Sequence, residues 1–156
     1  MIALPVSCVV DASVGIKLVI AEADSSLAHA LFAHLAHDAA SRFYVPDFFF
    51  LECANVLWKL LRKRLLTSVQ AKANQAALQA LALTLLPVTG LTDDALDIAA
   101  RYDVSVYDAA YVAALAQPRV PLVTADDKLV KKFASTSYSV VLLSLLTIPA
   151  PPTATP

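Results

Sequence analysis

Short apolar runs alternate along this chain with longer segments that have the pattern of helices. The apolar runs predict strands at residues 6–10, 43–45, 83–88, 120–123 and 140–143. Helix-start signals predict helices at residues 13–21, 25–36, 46–64, 92–102, 105–117 and 127–133, with another beginning at Thr67. Parallel strands need crossover connections, which are usually helices. The sequence therefore predicts an α/β fold with a mainly parallel sheet.

The length of 156 residues predicts one domain. Neither an internal repeat nor a linker divides the chain. We expect the folded domain to span residues 1–146. The remaining residues, 147–156, are proline-rich and are expected to form a disordered tail.

The composition is strongly apolar, with 58% hydrophobic residues. The longest uncharged interior stretch, residues 73–92, contains Asn, Gln, Pro and Gly, so it predicts a helix and a strand rather than a membrane span. No basic segment precedes the apolar start, so no secretory signal is expected. We expect a soluble, cytoplasmic protein that buries its surplus apolar surface against another chain. Cys8 and Cys53 lie in apolar runs and are expected to be buried free thiols.

Two acids follow predicted strands. Asp11 ends the first strand and Asp126 comes just after the strand at 120–123. Ligands of parallel sheets collect beyond the carboxyl ends of the strands, so both carboxylates are expected at one edge. Each has a structural alternative: Asp11 could be a turn residue before a helix capped by Ser13. The spacing from Thr124 to Asp127 predicts a capping pair, which leaves Asp126 without a structural explanation.

Asp108 is the only charged residue between Asp103 and Arg119, in the stretch SVYDAAYVAALAQ. A lone carboxylate in so apolar a segment needs compensation. One explanation is a helix cap, since Ser105 lies three residues earlier. The other is that Asp108 belongs to a cation site.

The helix predicted at 46–64 carries one narrow polar stripe. On a helical wheel, Phe48, Glu52 and Asn55 fall within an arc of about 100°. Three cations continue that arc and are called here the basic stripe: Lys59, Arg62 and Lys63. Nearly all the other positions are apolar, so we expect this helix to be buried on most sides. A solvated face is the simple explanation, but the pattern favours an acidic centre beside a phosphate-binding track.

Four converging carboxylates would repel one another unless a cation neutralised them. Oxygen ligands suit hard divalent ions, so the sequence predicts Mg²⁺, with Mn²⁺ as the alternative. The three histidines, His29, His34 and His37, are placed on one predicted helix and the loop after it. Their spacing does not match a standard zinc site.

With these residues in place, the chain resembles a PIN (PilT N-terminal) domain, specifically the VapC-type toxin of bacterial toxin–antitoxin pairs. The matching segments are VVDAS at 9–13, FLECANVLWKL at 50–60, SVYDAAYVAALA at 105–116 and LVTADDKL at 122–129. The resemblance implies a three-layer α/β/α sandwich and frequent dimerisation. It also implies a metal-dependent ribonuclease site made by Asp11, Glu52, Asp108 and Asp126, with supporting roles for Ser13, Asn55 and Thr124.

The mechanism expected on this basis is metal-dependent hydrolysis of RNA phosphodiester bonds. Asp11, Asp108 and Asp126 would hold one or two Mg²⁺ ions, which activate water and stabilise the leaving oxygen. Glu52 would help to bind metal or orient the water, while the basic stripe would hold the RNA backbone.

Two other classes of protein stay open. One is a PIN-fold module that binds RNA or a protein without cleaving it. The other is a phosphotransfer domain, although the dehalogenase type needs an acid at the position of Ser13. A receiver domain would have an acidic pair before its first helix.

Three consecutive phenylalanines, residues 48–50, cannot all point into one core on a helix. We therefore expect a homodimer and a hydrophobic groove for a cognate antitoxin, which in this family would also block the site.

Overall fold

Five parallel strands form the central sheet of the protein. The computed structural model describes residues 2–3 and 7–149. Its central strands are β2 (Ser7–Val10), β3 (Arg42–Pro46), β4 (Thr84–Leu86), β5 (Leu122–Thr124) and β6 (Val140–Leu142), in the spatial order β4-β3-β2-β5-β6. Every neighbouring pair is parallel. The predicted α/β fold with a parallel sheet is thus confirmed.

Seven α-helices surround this sheet in the described residues. They are α1 (Ala12–Gly15), α2 (Ser25–His37), α3 (Phe49–Arg62), α4 (Ser68–Gln79), α5 (Thr92–Tyr102), α6 (Val106–Ala114) and α7 (Asp127–Phe133). Successive residues of the central strands β2 and β5 are buried, from Cys8 to Val10 and from Leu122 to Thr124. Because consecutive side chains point to opposite faces, both faces of the sheet are covered. The architecture is the expected α/β/α sandwich.

The helix starts were partly predicted correctly. Ser105 caps α6, and Thr67 forms a complete capping box with Gln70 at the start of α4. Two assignments were wrong. Asp11, not Ser13, caps α1. Asp126 caps α7 by accepting bonds from two backbone N–H groups, so the expected pairing of Thr124 with Asp127 does not form.

Several bounds also differ from the prediction. α3 begins at Phe49, after a cap residue Phe48, rather than at residue 46. The strand predicted at 83–88 ends at Leu86. Pro87 follows it, has no N–H to donate to the sheet, and leads into a 3₁₀ turn at Val88–Gly90. His37 is the last residue of α2 rather than part of the following loop.

The burial of α3 differs from the expectation. Only Phe49, Cys53 and Leu57 are buried, while Leu51 is 74% and Trp58 48% exposed. The phenylalanines flanking Phe49 are half-buried and pack against the core. The three phenylalanines therefore do not supply the surplus apolar surface. The surplus apolar surface comes from Leu51 and Trp58, on the outer side of α3.

Near the end of the described chain, β7 (Leu146–Thr147) pairs in parallel with β1 (Ile2–Ala3). Nε2 of the buried His34 also lies 2.9 Å from the carbonyl oxygen of Pro149. The described structure thus continues three residues past the predicted domain end at 146, and residues 150–156 of the expected tail lie outside the described residues. No described helix is both long and apolar enough to cross a membrane.

Candidate active site

The switch point of the sheet lies between β2 and β5. The chain proceeds from β2 towards β3 and β4 on one side, and from β5 towards β6 on the other. Asp11 follows β2, and its N–H donates to the carbonyl oxygen of Val123 in β5 at 3.0 Å. Asp126 lies two residues after β5. Both acids are therefore at the same sheet edge, where open α/β sheets bind ligands.

Asp11 is buried and held by hydroxyl groups. Its Oδ2 accepts hydrogen bonds from Ser13 Oγ at 2.8 Å and Thr124 Oγ1 at 2.5 Å, while Oδ1 accepts one from the Ser13 N–H at 3.3 Å. The two hydroxyls in turn accept backbone N–H groups of Ala125 and Asp126, both at 3.0 Å. The start of α1 and the loop after β5 are thus joined through a single carboxylate.

The pKa of Asp11 is raised above its ordinary value. Burial is the main cause, and the nearby charge of Asp108 adds to it. The hydrogen bonds from Thr124 and Ser13 act in the opposite direction, since they stabilise the ionised form. In the absence of a cation, this carboxylate is therefore costly to ionise.

A close contact between α1 and α3 brings Glu52 towards Asp11. The backbone of Gly15 packs against the ring of Phe49, and a Cβ at position 15 would lie 2.4 Å from the ring atom Cζ. Only glycine therefore allows this approach without rearrangement. Glu52 lies on α3 one turn after Phe49.

Glu52 is half-buried and is held by α6. Its Oε2 accepts a hydrogen bond of 2.6 Å from the hydroxyl of Tyr111, which is 1% exposed. Burial raises the pKa of Glu52, the bond from Tyr111 lowers it, and the charges of Asp11 and Asp108 raise it further. The pKa of the Tyr111 hydroxyl is itself raised by burial and by the charges of Asp11 and Glu52, so Tyr111 stays a proton donor.

Asp108 projects from the first turn of α6. Its N–H donates to Ser105 Oγ at 3.0 Å, and the same hydroxyl donates back to Asp108 Oδ2 at 2.8 Å. Ser105 is therefore the helix cap, and Asp108 supplies a charge to the site as well as to the helix start. Asp11, Glu52 and Asp108 each have one oxygen held by hydroxyl donors. In the described part of the chain, Glu52 Oε1 and Asp108 Oδ1 have no donor.

The negative charge of these acids is uncompensated. Within residues 2–3 and 7–149, none of the four predicted acids forms a salt bridge. The buried thiol of Cys53 adds no charge, because burial, Glu52 and Asp11 raise its pKa to about 12. Asp108 disfavours the ionisation of Asp11 and Glu52. Such a group of carboxylates, without a salt bridge in the described residues, has the donor chemistry of a divalent metal site.

The predicted set of acids is only partly brought together. No three Asp, Glu, His or Cys side chains in the described residues are close enough to hold a metal ion as they stand. The charge of Asp108 raises the pKa of Asp11 and of Glu52, whereas Asp126 directs Oδ1 to the N–H groups of Lys128 and Leu129. Asp126 is therefore linked to Asp11 through its N–H, which donates to Thr124 Oγ1, while its carboxylate is occupied in part by capping bonds.

The supporting candidates lie beside these acids, while the RNA-binding candidates line another cleft. Ser13 and Thr124 both contact Asp11, and Asn55 lines a cleft together with Glu52. The basic stripe is exposed and lines a separate cleft of about 230 Å³. None of its three side chains forms a salt bridge within the described residues.

The sequence analysis missed Tyr111. A signal was present, because Tyr111 follows Asp108 by three residues and so shares its helix face. That spacing places a phenol beside an acid, but nothing in it shows that the phenol meets Glu52, a residue 59 positions earlier.

Comparison with known proteins supports the same fold. A sequence model of the PIN domain family matches residues 8–134. The crystal structure of PAE2754 from Pyrobaculum aerophilum is similar, with a TM-score of 0.67 and 21% identity over 88% of this chain and 84% of that one. A toxin–antitoxin complex from Klebsiella pneumoniae has a TM-score of 0.60 and 17% identity over 87% and 97% of the two chains. No curated protein matches the chain.

Proposed function

This chain belongs to the PIN domain family, and we propose that it is a metal-dependent endoribonuclease, the toxin of a VapBC-type toxin–antitoxin pair. The observation that carries the proposal is the group of carboxylates Asp11, Glu52 and Asp108, in which the charge of Asp108 raises the pKa of the other two and none forms a salt bridge within the described residues. Such a group is costly in a protein that has no use for it, and it lies at the edge where sheets of this topology bind ligands.

The residues that would hold the metal are Asp11, Asp108 and Asp126, with Mg²⁺ as the expected ion and Mn²⁺ as the alternative. Asp126 has one oxygen, Oδ2, that is not used in capping α7. A bound divalent ion supplies Lewis-acid stabilisation of the phosphate and lowers the pKa of water. Its charge would also remove the penalty that burial and repulsion impose on ionised Asp11.

The protein's own groups position the acids and the substrate. Ser13 and Thr124 fix the Oδ2 atom of Asp11, and Tyr111 fixes the Oε2 atom of Glu52. The remaining oxygen of Glu52 is then available to orient a water molecule or to bind metal. Asn55, beside Glu52 in the cleft, would contact the substrate. The basic stripe would bind RNA phosphates, because its cations are exposed and form no salt bridge within the described residues.

The toxin assignment implies a cognate antitoxin as partner and activity in the cytoplasm, where RNA is available. It is supported by the structural likeness to a chain of the Klebsiella pneumoniae toxin–antitoxin complex. We further propose a homodimer, because exposed Leu51 and Trp58 on α3 and Leu65 just after it leave apolar surface that a second chain would cover.

The test is cleavage of end-labelled single-stranded RNA by the purified protein, with Mg²⁺, with Mn²⁺ and with EDTA. Cleavage should require the divalent ion and fall to background in Asp11→Asn. The matched control is Asp97→Asn, which changes an exposed aspartate of α5 and should leave cleavage unchanged. Equal cleavage in EDTA, or full activity of Asp11→Asn, would contradict the proposal. RNA binding without any cleavage would indicate a non-cleaving binding module.

A further inference from the structure

Gly15 links the backbone of Asp11 to the helix that carries Glu52. Its N–H donates to the carbonyl oxygen of Asp11 at 3.2 Å, and the buried ring of Phe49 fills the space where a Cβ would be. Glu52 follows Phe49 by three residues, so both side chains lie on the same side of α3. A displacement of that ring is therefore passed to Glu52 within one turn of helix.

The backbone at position 15 does not itself require glycine. Gly15 has a φ of −59° and a ψ of −42°, which are ordinary right-handed helical values. Alanine is the better helix former in such a conformation. The ring of Phe49 is what excludes a side chain, since a Cβ would lie 2.4 Å from Cζ and 2.9 Å from Cε2, whereas ordinary contact begins at 3.4 Å.

The first turn of α3 is anchored on several sides. Consecutive side chains of a helix diverge by about 100°, so the three phenylalanines at its start point in different directions. The ring of Phe48 packs edge-to-face on Tyr111 of α6, with ring centres 5.4 Å apart. The ring of Phe49 packs on α1, and the carbonyl oxygen of Phe50 accepts a 3.1 Å hydrogen bond from Gln75 of α4. This triplet thus joins α3 to three other helices.

The position of α1 is fixed by the sheet. The Asp11 N–H donates to the carbonyl oxygen of Val123. The carboxylate of Asp11 accepts hydrogen bonds from the hydroxyls of Ser13 and Thr124. A methyl group added at position 15 would therefore push the ring of Phe49, and α3 with it. The ring would have to retreat from 2.4 Å to at least 3.4 Å, a shift of about 1 Å.

We propose that Gly15 is a positioning residue, which sets the separation of the Asp11 and Glu52 carboxylates. It does so by admitting the ring of Phe49 to a distance that any side chain would prevent. The inference rests on the proposed function for the reaction that this separation serves, in which Asp11 binds the metal ion and Glu52 acts beside it. A misplacement of about 1 Å at such a group can lower the rate about 100-fold.

Gly15→Ala tests this contact, and the chain's only other glycine supplies the matched control. Gly90 also lacks a positive φ, and an added Cβ there would meet only the flexible side chain of Gln117, at 3.9 Å. Gly15→Ala should lower the single-turnover rate of cleavage at saturating RNA by about 100-fold, with unchanged RNA affinity in EDTA. Mg²⁺ should still raise its melting temperature as in wild type, because the proposed metal ligands lie outside α3. Gly90→Ala should behave as wild type in all three measurements.

A second substitution separates positioning from a folding defect. Leucine at position 49 lacks the ring atoms Cζ and Cε2 that would meet the added methyl group. Gly15→Ala/Phe49→Leu should therefore recover most of the cleavage rate that Gly15→Ala loses. In the wild-type background, Phe49→Leu only removes packing and should lower the melting temperature, so the two substitutions are not additive. If Gly15→Ala does not fold, the double variant carries the test, since it should fold and cleave.

A crystal structure of Gly15→Ala gives a readout that does not depend on activity. Glu52 should lie about 1 Å farther from Asp11 than in wild type. Unchanged cleavage by Gly15→Ala, an equal loss of rate and RNA affinity, or an unmoved Glu52 would overturn the positioning role. So would a double variant as slow as the single one. A wild-type protein that cuts no RNA would instead contradict the proposed function, while a displaced Glu52 would still support the control of this spacing by Gly15.

Discussion

Neutralising Asp108 separates its contribution to the site from its contribution to the helix start. Asp108→Asn keeps the size of the side chain and an oxygen that can still accept the hydrogen bond from Ser105. The substitution removes a charge that raises the pKa of both Asp11 and Glu52. It also removes an acid from the first turn of α6, where the helix dipole favours negative charge.

The two effects have opposite signs in the metal-free protein. Loss of the helix-dipole interaction costs about 0.3–1 kcal/mol at an exposed site. The relief of repulsion at Asp11 is poorly screened, because that carboxylate is buried. We therefore expect Asp108→Asn to melt in EDTA at the same temperature as wild type or higher.

The pH dependence of stability gives a second expectation. The folded-state pKa values of Asp11 and Glu52 are raised above their ordinary values of 3.8 and 4.5. The folded state therefore holds more protons than the unfolded state between each ordinary value and the raised one. The contribution of these two groups to the free energy of unfolding is fully present at pH values below their ordinary pKa values. It is lost as the pH rises through the raised pKa values. In Asp108→Asn this loss should be smaller, because a source of repulsion is gone.

Mg²⁺ should stabilise the wild-type protein more than it stabilises Asp108→Asn. An ion present at 100 times its dissociation constant stabilises the folded state by about 2.7 kcal/mol. For a domain of this size that corresponds to about 5–11 °C in melting temperature. If the variant binds the ion tenfold more weakly, the gain falls to about 1.4 kcal/mol.

The assay is a set of melting curves with EDTA and with Mg²⁺, for wild type, Asp108→Asn and a matched control. Asp94→Asn is suitable, because Asp94 is also the third residue of its helix, α5, and is exposed. The control should lose the helix-dipole contribution and keep the full response to Mg²⁺. The reasoning is refuted if Asp108→Asn is destabilised in EDTA as much as the control and responds equally to Mg²⁺.

Two further predictions concern groups around the acids. Tyr111→Phe removes the only hydroxyl that contacts Glu52 in the described residues. We expect slower cleavage with nearly unchanged RNA affinity in EDTA, measured by single-turnover kinetics and by binding; an equal loss in both would indicate a general packing defect. Replacing the whole basic stripe with alanine should weaken binding to all RNAs and lower the salt slope by up to about one per lost phosphate contact. An unchanged slope would show that the stripe is a solvated face.

The sequence predicted the fold class because its strands are short apolar runs bounded by helix-start signals. It could not distinguish two adjacent acids at the start of α7. Asp126 and Asp127 are both good first-turn residues, and the path of the chain leaving β5 decides which one caps the helix. The cap takes one of the two oxygens that the sequence had assigned to the site.

A helical wheel could not predict which side chains of α3 are buried, for a different reason. The wheel gives the angular spread of apolar residues, but it cannot tell how many other elements pack around the helix. In the single chain, α3 packs mainly on α4 and α1, which leaves Leu51 and Trp58 exposed. Similarly, the bond between Tyr111 and Glu52 joins two helices far apart in sequence, and no local pattern encodes it.

Neutral hydroxyl groups, rather than cations, hold the acids of the candidate site. Ser13, Thr124, Ser105 and Tyr111 orient three carboxylates while leaving their charge in place. A lysine or arginine in the same positions would orient them equally well but would neutralise the charge and compete with a metal ion. The buried Lys17, six residues after Asp11, is instead bonded to Glu22 and the carbonyl oxygen of Ala23.

Because hydroxyl groups do not neutralise the carboxylates, the stability of the folded protein should depend on the metal ion. A site neutralised by its own cations would be stable at all metal concentrations but could attract neither a divalent ion nor the phosphate that accompanies it. A site held by hydroxyls keeps each acid in position and leaves the repulsion for the ion to relieve. Stability gained on adding Mg²⁺ is therefore the physical counterpart of the proposed activity, and the two should be lost together when Asp11 or Asp108, both proposed metal ligands, is neutralised.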